Sequence, residues 1–166
     1  GWDPADTHTT DFWEELASVN ASGSSSNLST GTFTAKKYLW IQYYVETTST
    51  VYSINRFNND TTATYAWRNS SNGGGDSTTA SDTAFYPAVS AANGHFCNMF
   101  IVNNSANEKL VISHTVSQNT AGATAPQRRE GTTKWANTSS QITEMDIDAS
   151  TGNWGANSIV KVWGSN

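Results

Sequence analysis

The sequence predicts an all-β protein, an antiparallel sandwich of eight to ten short strands, jelly-roll-like in character. Three observations point there. Apolar residues alternate with polar ones at period two along most of the 166 residues, the spacing of a strand with one buried face. The runs break at Gly, Asn and Ser, which favour turns. Ser, Thr and Asn together supply more than a third of the chain, while charged residues make up 14% and apolar ones 36%. Thr suits a pleated, half-buried surface, and seven Trp, six Tyr and six Phe supply large core side chains.

Strands are expected near 12–19, 28–35, 37–47, 50–57, 63–68, 96–103, 108–118, 131–137, 141–148 and 158–163. The first is ambiguous. Asp11-Phe12-Trp13-Glu14-Glu15-Leu16-Ala17 reads equally as a short helix capped by Asp11. Residues 1–30 are read as an N-terminal arm or first strand packing on the domain or a neighbour, and 31–166 as the sandwich. From Tyr38 to Glu46 one face carries Leu39, Ile41, Tyr43 and Val45, a core face. The other carries Tyr38, Trp40, Gln42, Tyr44 and Glu46. Three large aromatics exceed what a solvent face needs, so cover by the same chain, a subunit contact or a sugar-stacking platform is expected there. Asn69 to Ser81, with Gly73-Gly74-Gly75, reads as the clearest loop, and Asn119 to Pro126 as a second. Arg56, Arg68, Asp60 and Asp76 are expected to pair and fix loop ends. The chain closes on Ser158-Ile159-Val160-Lys161-Val162-Trp163-Gly164, apolar on both faces.

Composition excludes several function classes. Net charge is −5 and the basic residues are scattered, so nucleic acid has no electrostatic footprint to meet. No run approaches the ~20 apolar residues of a membrane helix. One cysteine, Cys97, forms no intrachain disulfide and reads as a small buried apolar residue. The three histidines lack metal-ligand spacing. His114 shares a face with Leu110, Ile112 and Val116 and reads as a core or rim residue. His95 follows the Asn93-Gly94 turn and reads as a surface residue, and His8 lies among Asp3, Asp6 and Asp11, a loose cation site at most. There is no Gly-x-Ser-x-Gly elbow, and no lysine follows the glycines to make a phosphate loop. No catalytic residue is assigned and no enzyme is expected.

Two site types stay open. Glu144, Asp146 and Asp148 fall on one strand face opposite Met145 and Ile147. Three carboxylates there repel one another unless a cation intervenes, which leaves calcium as the sole cofactor to consider beside a plain solvated acidic strand. Trp67, Arg68, Asn72 and Asp76 surround the glycine loop and combine a stacking ring with groups that bind hydroxyls, a candidate glycan site. Asn-x-Ser/Thr sequons occur at Asn20, Asn27, Asn59, Asn69, Asn103 and Asn137, as this composition produces by chance.

A resemblance adds a role. Its order is Lys37-Tyr38-Leu39, Arg56-Phe57-Asn58-Asn59-Asp60, Tyr65-Ala66-Trp67-Arg68 and Asn72-Gly73-Gly74-Gly75-Asp76. Glu108-Lys109-Leu110, Thr120-Ala121-Gly122-Ala123, Arg128-Arg129-Glu130, Lys134-Trp135-Ala136-Asn137-Thr138 and Val162-Trp163-Gly164 follow. This resembles small virion proteins of tailed bacteriophages and related environmental viruses: capsid-decorating, fibre or tail-associated β-sandwiches. The likeness spans roughly residues 35–164 and carries over no catalytic residue. It implies a subunit on the virion surface, partnered by itself as a trimer or larger homo-oligomer and by a major capsid or tail protein. A host surface glycan is the alternative partner. Subunit contacts are expected at Trp2, Phe12, Trp13, Tyr38, Trp40 and Tyr44, with the first three on an arm that docks to a neighbour.

Overall fold

The computed structural model describes residues 12–47, 49–90, 92–118, 120 and 122–166. Eleven strands run β1 (Glu14–Asn20), β2 (Asn27–Ser29), β3 (Tyr38–Val45), β4 (Ser53–Phe57), β5 (Tyr65–Ser71), β6 (Ser77–Asp82), β7 (His95–Val102), β8 (Lys109–Ser117), β9 (Gln127–Trp135), β10 (Met145–Ala149) and β11 (Ile159–Ser165). They form two packed antiparallel sheets, of order β1-β11-β3-β7-β8-β9-β5-β6 and β2-β10-β4. The ambiguous first segment is a strand from Glu14 onward. β1 pairs with β11 and β2 with β10, so both belong to the sandwich sheets.

The core lies between the sheets. Leu39, Ile41, Tyr43 and Val45 of β3 are all buried, as the alternation requires, and so are Met145 and Ile147 of β10. Trp135, Trp154, Tyr65, Phe57 and Phe85 fill the centre. Each buried polar tip finds a partner: Trp135 Nε1 donates to Asp60 Oδ2 at 2.7 Å, Trp154 Nε1 to the Ile147 carbonyl at 2.8 Å, and the Phe57 amide to the Tyr65 hydroxyl at 2.8 Å. Three strands cannot cover eight. Irregular segments complete the cover, with Phe33, Ala84, Phe85, Ala88, Val89, Ile142 and Trp154 buried outside the strands. The 83–90 segment is anchored where Asn55 and Phe85 exchange backbone hydrogen bonds.

Three expectations are corrected. Asn69 to Ser81 is not a loop. β5 continues to Ser71, turns at Asn72-Gly73, and returns as β6. Asn72 has φ +53° and Gly73 φ +76°, and the Gly74 amide bonds the Ser71 carbonyl at 2.9 Å. That is the left-handed two-residue turn whose twist matches a hairpin. His95 is not on the surface but 1% exposed. The face of Leu110, Ile112, His114 and Val116 is not core. It is the outer face of β8, which buries Lys109, Val111, Ser113, Thr115 and Ser117 instead.

Candidate functional site

The outer face of the eight-stranded sheet is ordered in rows. Strand register lines up Trp163, Trp40, Phe100, Ile112 and Thr132 across β11, β3, β7, β8 and β9. On one side lies Tyr38, Val102, Leu110 and Lys134. On the other comes a polar row, Lys161, Gln42, Asn98, His114 and Glu130, then a second apolar row of Ile159, Tyr44, Phe96 and Val116 ending in Arg128. Period-two alternation puts every one of these side chains on the same face. Directly opposed side chains in neighbouring strands touch.

Apolar side chains stand exposed in these rows: Ile112 is 66% exposed, Leu110 56% and Phe100 46%. The rings of Trp40 and Phe100 stack 5.8 Å apart with planes 11° from parallel, and Trp163 lies 4.9 Å from Trp40. Rings that cover one another's faces present edges outward, a poorer platform for a sugar ring than a lone exposed face. The polar row is internally bonded. Trp40 Nε1 and Gln42 Nε2 both donate to Asn98 Oδ1, at 2.6 and 3.1 Å. Lys161 pairs with Glu15 at 3.0 Å, and Glu130 pairs with His114 at 3.3 Å and with Arg128.

The chain crosses this face just before β1. Trp13 lies 6.1 Å from Trp40 and 6.5 Å from Phe100, with Phe12 edge-on to it at 5.9 Å and 77% exposed. The pair forms a ridge over β3 and β7. Beside it runs a groove of about 640 Å³ floored by Phe100, Val102, Leu110, Ile112 and Thr132. Of the expected contact residues, Phe12, Trp13, Tyr38 and Trp40 meet at this ridge and groove. Tyr44 lies at the far end of the same face, and Trp2 lies outside the described residues. Sequence reasoning missed Phe100, Leu110, Ile112 and Trp163. The signal lay in β8, where both faces carry residues able to face inward.

The glycan candidates do not converge. Trp67 packs inward against the core and donates Nε1 to Asp82 at 3.1 Å, while Arg68 points outward and pairs with Asp76 at 2.9 Å. Asn72 Oδ1 accepts from the Arg128 amide at 2.9 Å and holds the hairpin turn. The acidic residues share the outer face of the small sheet, each in its own setting. Asp148 accepts from Asn27 Nδ2 at 2.8 Å and from Arg56 at 2.7 Å, and Glu144 accepts from Ser29 Oγ at 3.0 Å. Asp146 is 4% exposed, and burial, with the Glu144 and Asp148 charges adding to it, raises its carboxyl above the usual range. Among the described residues no three His, Cys, Asp or Glu gather as a metal site. The His8, Asp3, Asp6 and Asp11 group lies outside the described residues. Asp60, expected at a loop end, accepts from Thr62, Thr64 and Trp135. Burial alone would raise its carboxyl, but these bonds outweigh it and hold the group below its ordinary value.

Cys97 and His95 are among the titratable groups buried between the sheets. Burial pushes the Cys97 thiol up to about 11 and the His95 imidazole down to about 4. A thiol so buried is inert. The His95 ring sits edge-on between Tyr43 at 5.9 Å and Trp154 at 6.1 Å, and neither ring nitrogen has a hydrogen-bond partner among the described residues. No protein-family model matches the chain and no curated protein matches it.

Proposed function

We propose that this chain is a non-enzymatic structural subunit of a virus particle, a capsid-decorating or tail-associated protein with a jelly-roll-like body, acting by self-assembly and docking. The observation that carries the self-assembly is the exposed apolar outer face of the eight-stranded sheet, in which Phe100, Leu110 and Ile112 stand in adjacent strands. Exposed apolar area of this kind marks an interaction surface, and its burial contributes on the order of 25 cal/mol per Å² before the costs of association. The virion setting rests on the sequence resemblance. A face whose exposed contacts are mainly apolar suits a particle that must hold together through changes of salt.

Light scattering over a concentration series tests the assembly. The protein is expected to associate, and Leu110→Lys combined with Ile112→Lys is expected to leave a folded monomer. Both side chains point outward, so circular dichroism should be unchanged. A wild-type protein that stays monomeric at high concentration overturns the reading. Immuno-electron microscopy of particles from the same source tests the setting, with regular labelling of the particle surface expected.

A further inference from the structure

We propose that two copies pack their eight-stranded sheets face to face about a two-fold axis parallel to the strands and running over β7. The inference rests on the self-assembly reading and gives it a partner and a register.

Shape and charge select this axis. The rows of apolar and polar side chains run through β11, β3, β7, β8 and β9, five of the eight strands, and β7 is the middle of those five. A two-fold along β7 keeps each row over the same row of the copy and exchanges its ends. Polar row then meets polar row, and apolar meets apolar. Closed, isologous contacts of this kind are the commonest form of self-association, and facing sheets align within about 30°.

Shape agrees with this axis. The Phe12–Trp13 ridge rises over β3 and β7, while Leu110 and Ile112 of β8 floor the open groove on the other side. The two-fold seats each ridge in the other copy's groove. An axis across the strands would instead lay the ridge against the row of Tyr44 and Phe96. Charge agrees as well. The polar row has Lys161 at its β11 end and Glu130 at its β9 end. Exchange of ends brings each Lys161, bonded in its own chain to Glu15, to the other copy's Glu130, bonded to His114 and Arg128, so two pairs of opposite charges meet per dimer. A second copy therefore fits the surface better than a charged partner of one sign.

Lys161→Glu and Glu130→Lys, made singly, test the arrangement. Each places like charges at both symmetry-related ends of the row, and each is expected to weaken association by about tenfold. Mixed in equal amounts, the two variants form a heterodimer in which both contacts are again attractive. The mixture is expected to associate more tightly than either variant alone. No pair within one chain explains such recovery, because β11 and β9 lie four strands apart, roughly 19 Å. As a second measurement, Phe100→Cys lies beside the axis and is expected to give a covalent dimer with a short bis-maleimide, while buried Cys97 leaves the wild type unlinked. If the wild type associates but the mixture shows no recovery and Phe100→Cys does not cross-link, the two-fold is wrong and self-assembly stands. If the wild type never associates, both readings fall.

Discussion

At the scale of the residue, His95 shows how one turn decides an environment. Asn93 and Gly94 both have positive φ, and a Cβ at Gly94 would collide with the Val45 carbonyl oxygen. The turn therefore closes directly against β3, and the next residue is the first inward position of β7. A histidine there must stay neutral. Its folded value of about 4 lies below the ordinary 6.5, so between those values the unfolded chain binds the extra proton. Stability is then greatest above pH 6.5 and falls as the pH drops from about 6.5 to about 4, by roughly 3 kcal/mol in all. Denaturant unfolding at a series of pH values should show this slope, and His95→Leu should flatten it over that window. An unchanged slope in the variant would rule out His95 as its source, and Asp60, held below its ordinary value, would act only at lower pH. The sequence held the Asn-Gly turn in plain view, but a turn marks where the chain reverses and leaves open which side chain leads inward.

At the scale of the element, the β5–β6 hairpin was legible in Asn72-Gly73, the dipeptide that supplies two left-handed residues in a row. Gly74 and Gly75 beyond it suggested a long loop, and the Ser/Thr-rich β6 carries almost no apolar alternation to counter that. β6 forms because β5 offers it a ladder, from Asn69–Ser77 to Tyr65–Asp82. Gly73→Ala puts a Cβ on a φ of +76° and should cost about 1 kcal/mol in stability. The same change at Gly75, whose φ is not positive and whose Cβ would meet nothing within 4 Å, should be close to neutral. Equal losses at the two positions would mean the turn geometry is not what holds the hairpin. β8 teaches the complementary lesson. Its alternation was clear, but one face carries Leu110, Ile112 and Val116 and the other Lys109, Val111, Ser113 and Thr115. Ranking by hydrophobicity chose the wrong face. Lys109 is buried because its ammonium donates to the Asn107 and Asn137 carbonyls, both at 2.8 Å, over the Trp135 ring.

At the scale of the whole molecule, eight strands against three leave the large sheet unevenly protected. β3, β7 and β8 are ladder-bonded on both sides, whereas β6 is an edge with mostly exposed residues. Amide exchange should be slowest in those central strands and markedly faster in β6. Equal protection of β6 and β8 would show that something else pairs with that edge. By itself the sequence determined the fold class, most strand positions, the inward set on β3 and β10, and a surplus of aromatics facing away from the core. Those follow from local chemistry, because alternation and turn residues act over a few positions. The tertiary structure alone decided which face of β8 points inward, that His95 is buried, and that Trp67 takes the inward side of β5. It also decided that side chains from four separate strands, β11, β3, β7 and β8, line up as the apolar rows of one face. These depend on register and on which sheet covers which, and such pairings join residues far apart in the chain, where no local pattern records them.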